Sequence, residues 1–233
     1  MPDRAAKLLI ELLQDPHPDI RRVAAESLGK IGDPRTGSAL VPLLTDPDAG
    51  VREAAVRAIG RLGPSAGEEV AQVVVALLDD PNESVRRAVT IAIGEIEPPT
   101  RVFVAVPKLL RARDVSTRRS AAQALSMIEA RAWLPDLVKA LQDPDTEVRQ
   151  HVVAALAELG DPIIAPLLRD RLARDPSVAV RTEAAYRLGK IGDPETKEVL
   201  AAVAGRDPDR GVRQWARMGL DAARSSTESG SMR

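Results

Sequence analysis

The chain has no cysteine among its 233 residues. A disulfide framework and thiolate chemistry are therefore excluded. Aromatic side chains are almost missing as well: two Trp, one Tyr and one Phe. Where those few rings fall is informative for that reason. Histidine occurs only at positions 17 and 151. Metal chemistry needs clustered His, Cys, Asp or Glu at ligand spacing, and neither histidine stands in such a cluster. Neither sign of charge dominates, with 33 Lys and Arg against 34 Asp and Glu and a net charge of −1. No global field would draw the chain onto nucleic acid or anionic lipid. Long apolar runs are absent. The longest are six residues, as at 73–78, far too short to span a bilayer. The first fifteen residues, MPDRAAKLLIELLQD, are charged throughout and hold no apolar stretch of secretory-leader length. A cytoplasmic location is the resulting expectation, with no membrane attachment.

What the chain does have is a repeat. Residues 143–160, DPDTEVRQHVVAALAELG, show one copy of it. A β-branched residue followed by Arg recurs at Ile20-Arg21, Val51-Arg52, Val85-Arg86, Val148-Arg149, Val180-Arg181 and Val212-Arg213, with Thr117-Arg118 standing in once. The arginine spacings are 31, 34, 32, 31, 32 and 32 residues. A fixed period between 20 and 50 residues is the mark of a solenoid, in which each unit buries its apolar face against its neighbours.

Each of the seven copies reads as two helices. The first, helix A, is short, and four A segments carry a proline: Pro42, Pro107, Pro135 and Pro166. A helix-interior proline loses a backbone bond and bends the axis, so the A helices are expected to start or kink there. The turn into helix B is Asp-Pro followed by a capping residue: Asp48, Asn82, Asp114, Asp145, Ser177 or Asp209. These side chains accept the orphan N–H groups of a first helical turn. The first copy has His17 there, followed by Pro18, which suits a helix start. Six residues before the arginine stand Asp15, Asp46, Asp80, Asp143, Asp175 and Asp207, but the fourth copy has Ala112.

Helix B runs about fourteen residues, roughly 21 Å. Positions −1, +3, +4, +7 and +10 from the arginine make one apolar stripe, as in Val148, Val152, Val153, Leu156 and Leu159. The flanking positions are small. Gly29, Gly60, Gly94 and Gly189 recur at +8. Glycine inside a helix costs about 1 kcal/mol against alanine, so its recurrence implies close packing of adjacent B helices. Gly32, Gly63, Gly160 and Gly192 are expected to stop helix B. Glu97-Pro98-Pro99-Thr100 reads as a rigid break, and Phe103 and Trp133 on A helices as core. Residues 2–224 form the repeat array, and residues 225–233, SSTESGSMR, read as a disordered tail.

The runs DPHPDIRRVAAESLGKIGDP (15–34) and DPSVAVRTEAAYRLGKIGDP (175–194) resemble HEAT repeats, particularly the short bacterial type named for phycobilin lyase subunits. The resemblance implies an all-α fold, a right-handed superhelix (solenoid) of seven helical hairpins with the B helices lining a concave face. It also implies a bonded structural ladder between repeats, built from Asp15, Arg21, Asp46, Arg52, Asp80, Arg86, Asp143, Arg149, Asp175, Arg181, Asp207 and Arg213. Such pairs recur at every period, whereas an active site would need only one. HEAT-repeat hydroxylases hold iron with His-Glu pairs. Here Pro18 follows His17 and Val152 follows His151, so neither metal nor cofactor is expected.

On a helical wheel, positions +1, +2, +5 and +9 of helix B point away from the apolar stripe. The N-terminal copies fill them with charges that pair along the helix, such as Arg22, Glu26 and Lys30. The C-terminal copies place His151, Tyr186, Lys190, Trp215 and Met218 there, and Arg87 and Arg119 occupy the same face further back. Exposed Tyr, Trp and Met are typical interface anchors. The rival reading makes Trp215 the cover of the solenoid's end. The sequence thus points to a non-catalytic scaffold, a monomer or a subunit of a hetero-complex, that binds a protein or peptide on its concave face. The alternative is an accessory subunit of a cofactor-attaching enzyme. DNA binding through the basic stretch at Arg111, Arg113, Arg118 and Arg119 is a third reading, disfavoured by the overall neutrality.

Overall fold

The computed structural model describes residues 2–97, 100–104, 106–160, 162–191 and 194–230. Among them are fourteen α-helices, seven short 3-10 helices and no strand. The B segments form the even-numbered helices: α2 (Pro18–Ile31), α4 (Ala49–Leu62), α6 (Glu83–Ile96), α8 (Val115–Leu125), α10 (Thr146–Glu158), α12 (Val178–Ile191) and α14 (Arg210–Gly230). The A segments give α1 (Pro2–Leu12), α3 (Gly37–Leu40), α5 (Glu68–Ala76), α7 (Val106–Leu109), α9 (Leu134–Ala140), α11 (Ala165–Arg174) and α13 (Pro194–Arg206). The architecture is all-α, a stack of helical hairpins.

The prolines act as their backbone chemistry requires. Pro135 and Pro166 sit at the second positions of α9 and α11, each helix preceded by a 3-10 turn. Pro42 opens a 3-10 segment, Val41–Thr45, that ends the second A helix after only four α-helical residues. The B helices are longer and capped. Asp48, Asn82, Asp114 and Asp145 each accept a backbone N–H of the following first turn at 2.7–3.1 Å. His17 makes no side-chain cap, and Pro18 starts α2 in its place. Gly32 closes α2 in the left-handed conformation, φ 68°. Glu97 occupies the same region at the end of α6, φ 48°, where a side chain is uncomfortable. The expected stop at Gly192, the prolines 98 and 99 of the rigid break, and residues 231–233 lie outside the described residues. Helix α14 runs through Gly230, although residues 225–230 read as tail. Extending an existing helix costs far less than nucleating one, and no proline interrupts it.

Two compact units divide the chain, Met1–Ile128 and Glu129–Arg233. In the first, α2, α4, α6 and α8 pack side by side, each carrying its A segment on one flank. In the second, α10, α12 and α14 do the same. The apolar stripe is buried as the periodicity demands: Val51, Val85, Val148, Val180 and Val212 are fully enclosed. Ile20, in the first copy, stays 38% exposed. Phe103 is completely buried, whereas Trp133, expected in the core, is only half-buried because it sits on a 3-10 turn at the head of α9.

The small positions allow adjacent B helices to touch backbone to backbone. A methyl group at Gly189 would lie 2.5 Å from the Gly219 Cα, and one at Gly29 would lie 2.7 Å from the Ala58 Cα. At Gly94 the obstacle is the flexible tip of Met127 at 2.6 Å.

The aspartates and arginines join consecutive turns with a definite polarity. Each arginine uses Nη1 to donate to the carbonyl of the aspartate six residues earlier, as from Arg21 to Asp15 and from Arg52 to Asp46, both 2.7 Å. Its Nε and Nη2 grip the carboxylate of the next copy. Rungs of this kind join Arg21 to Asp46, Arg52 to Asp80, Arg149 to Asp175 and Arg181 to Asp207, at 2.7–3.0 Å. Each of those aspartates also accepts the N–H two residues on, which shapes the turn. Asp15 and Asp143 make the same turn bond. Arg86 and Arg213 depart from the expected ladder. Arg86 reaches the Asp80 carbonyl at 2.5 Å, and Arg213 the carbonyls of Asp207 and Pro208. Among the described residues neither grips a carboxylate: Ala112 stands where the aspartate facing Arg86 would be, and Arg213 lies on α14, which continues through Gly230.

Two outcomes follow from this packing. Gly189→Ala should lower stability by about 1–3 kcal/mol, the usual cost of overpacking, while Gly94→Ala should cost less because Met127 can rotate; urea denaturation of both variants checks the order. The ladder also sets an acid limit. Burial alone would raise Asp46 and Asp207, but the bonds from Arg21 and Arg181 and the N–H groups of Asp48 and Asp209 outweigh it and hold both below the ordinary carboxylate value. A carboxylate lowered in the fold stabilises fully above its unfolded value and loses that contribution as pH falls through the folded one. Stability should hold from neutral pH down to about pH 4 and decline below it. A rise in stability on acidification past that point would contradict the ladder.

Candidate functional site

The C-terminal unit carries the most distinctive surface. Three B helices contribute to it because their +2, +5 and +9 positions face away from the buried stripe. Tyr186 and Lys190 come from α12, Trp215 and Met218 from α14, and His151 from α10. Tyr186 is 40% exposed, Trp215 36% and Met218 52%. The two rings meet edge to face, with centroids 5.5 Å apart and planes at 82°, the arrangement favoured by aromatic quadrupoles. The Lys190 ammonium lies 4.7 Å from the Tyr186 ring centre and the Arg187 guanidinium 5.4 Å from it. Both are cation–π distances.

Arg187 connects this patch to a neighbouring cavity. It donates to Glu183 at 2.7 Å and to Glu158 on α10. Burial works against its charge, yet those two carboxylates raise its pKa further above the ordinary arginine value. The cavity, about 830 Å³, lies between the A and B layers of the unit. Ile164, Ala165, Pro166, Ile191 and Pro194 give it apolar walls, and Arg169, Arg187, Lys190, Glu158 and Glu195 line its polar parts. Arg169 is paired with Glu195 at 2.5 Å. Lys190 has no carboxylate partner among the described residues. One cation therefore faces both the aromatic pair and the cavity without an opposing charge.

His151 is half-buried, and burial pushes its pKa down against the weaker pull of Glu147 and Glu183. It is thus neutral at physiological pH and presents an amphipathic ring. Among the described residues, no group of three or more His, Cys, Asp or Glu could hold a metal ion.

Arg87 and Arg119 lie in the N-terminal unit, on α6 and α8. Arg87 is exposed and paired with Glu83 at 3.0 Å. The basic stretch at positions 111–119 is partly consumed by the fold, since Arg118 donates to the carbonyls of Ala112 and Arg113. A second cavity of about 440 Å³, in the N-terminal unit, is lined mainly by Arg22, Glu26, Lys30, Glu53, Arg57 and Arg61. Pairs within its walls, Arg22–Glu26 and Glu53–Arg57, satisfy much of their own charge.

Sequence reasoning missed Arg187, the centre of the site. A signal was present: at +6 stand Ser27, Ala58, Ala92, Ala124 and Ala155, and then Arg187. A long cation at a position reserved for small residues marks a place where neighbouring helices leave room. The A-helix walls of the cavity carried no such signal.

These features define a helical-hairpin repeat protein with a mixed aromatic and cationic patch on its B-helix face. The model of the HEAT repeat family matches residues 2–60, 38–126, 104–178 and 134–221, and the chain belongs to that family. No curated protein matches it by sequence. Among solved structures it is similar to Escherichia coli YibA, with 23% identity, a TM-score of 0.62, and coverage of 94% of this chain and 82% of that one. It is also similar to the complex of CpcE and CpcF of phycocyanin lyase from Nostoc sp. PCC7120, at 24% identity and a TM-score of 0.54, covering 92% of this chain and 86% of the matched one. An engineered protein gives 22% identity and a TM-score of 0.55 over 81% of this chain and 98% of its own. At these identities the likeness is one of fold. Among the described residues no helix is long and apolar enough to cross a membrane.

Proposed function

We propose that the protein is a non-catalytic interaction scaffold that holds a protein or peptide on the B-helix face of its C-terminal unit. The observation that carries this reading is the exposed Tyr186–Trp215 pair, extended by Met218 and bordered by Lys190. Large rings fixed by neighbours lose little entropy on binding, and their burial supplies much of an interface's energy. The unopposed Lys190 favours a partner with an acidic group beside an apolar anchor. The adjoining cavity, with its apolar walls, has room for that anchor. Membership of a repeat family whose hairpins present a continuous helix face is consistent with this use.

A second reading, an accessory subunit of a cofactor-attaching enzyme, has the fold similarity to the phycocyanin lyase complex in its favour. Incubation with bilins followed by an absorption scan tests it, and an unchanged spectrum removes it.

For the scaffold reading, the Tyr186→Ala, Trp215→Ala double variant should lose its specific partners in affinity capture from the source cell while keeping its helical circular dichroism. Each truncation of an anchor of this kind costs about 2 kcal/mol or more, so capture should fall by well over tenfold. Equal recovery of the same partners by both proteins would overturn the assignment of this face.

A further inference from the structure

The arginine ladder of the N-terminal unit has a vacant rung. Wherever the ladder is complete, Nε and Nη2 of one arginine hold both oxygens of the next turn's aspartate. Arg86 retains the other half of this arrangement, its Nη1 bond to the Asp80 carbonyl. The following turn keeps its own backbone bonds as well. Arg118 Nη1 lies 3.0 Å from the Ala112 carbonyl and 3.1 Å from that of Arg113, much as Arg52 Nη1 lies 2.7 and 3.3 Å from those of Asp46 and Pro47. The turn is therefore built like the others, and what is missing is a carboxylate on residue 112.

The consequence is confined to one atom. Arg86 is 6% exposed, and its Nε is the sole buried side-chain nitrogen or oxygen without a hydrogen-bond partner among the described residues. A charged donor sealed from water and unpaired is costly. The nearby carboxylates do not relieve it. Asp114 feels the field of Arg86, but its oxygens accept from the Thr117 N–H and from the hydroxyls of Ser116 and Thr117, which hold its pKa at about 2. Asp79 is within 3.1 Å of the Thr117 hydroxyl. Asp114 reduces the local positive charge and leaves Nε unfilled. Nε itself is covered, but Ala112 is only half-buried, so the position of the missing aspartate borders solvent.

We propose that the Nε–Nη2 edge of Arg86 is a binding site for a small carboxylate anion, of formate or acetate size, which takes the place of the absent aspartate side chain. A planar carboxylate matches the two parallel N–H bonds of a guanidinium edge, and a spherical halide does not. The complete rungs of the same chain are the template for that geometry. Replacing alanine by aspartate adds a single carboxyl group, which limits the occupant to a few heavy atoms.

The test follows the arginine Nε–H resonances of 15N-labelled protein while sodium formate replaces sodium chloride at constant ionic strength. The Arg86 resonance should shift and saturate at millimolar formate, those of Arg52 and Arg149 should stay in place, and the thermal midpoint should rise with formate. Ala112→Asp supplies the carboxylate covalently. That variant should melt higher than the parent in chloride and lose both responses to formate. An Arg86 resonance that does not saturate, or one that moves equally in Ala112→Asp, would overturn the site and leave water as the only occupant. Should Ala112→Asp fail to fold, the titration of the parent protein decides alone.

Discussion

One guanidinium spanning two turns is the interaction on which the rest of this protein is built. Its Nη1 fixes the Asp-Pro turn of its own repeat through backbone carbonyls, and its Nε–Nη2 edge reads the carboxylate of the next. Apolar burial is non-directional, and Val, Leu and Ala stripes could slide past one another by a turn at modest cost. The bidentate grip cannot, because two parallel bonds are lost together. Buried ion pairs add little net stability against apolar substitutes, since desolvation consumes most of the Coulombic gain. Their value here is register: each repeat is told where the next begins.

The same requirement explains what the B helices are made of. A turn held at fixed spacing brings consecutive B helices so close that Gly29 faces Ala58 and Gly189 faces Gly219 with no room for a further methyl group. The A segments are held less tightly, and prolines break them into 3-10 and α-helical pieces. Their variability matters for function, because in the C-terminal unit the cavity opens where an A helix meets the B layer, between α11 and α12.

The candidate site arises from a local departure from the repeat. At Arg187 a cation replaces a small residue, and two carboxylates from different helices gather around it. The aromatic pair is bordered by the cations of that network, Arg187 and Lys190. That leaves Tyr186, Trp215 and Met218 partly exposed, the surface on which the proposed partner site rests.

The period of the arginines, the capping residues and the spaced glycines were enough to read the helix order, the all-α class and the HEAT-type repeat, because each is a local demand that backbone geometry imposes on particular residue types. Tyr186, Trp215 and Met218 could be placed on one face by counting helical turns. Sequence alone could not show which half of a rung an arginine bonds to, since that depends on how far the next repeat is carried over the last. Nor could it show that Phe103 is enclosed while Trp133 is not, that Arg87 and Arg119 belong to another unit, or that Arg86 keeps a buried nitrogen unpaired. Those outcomes depend on distances between segments some thirty residues apart along the chain, and only the packed structure sets them.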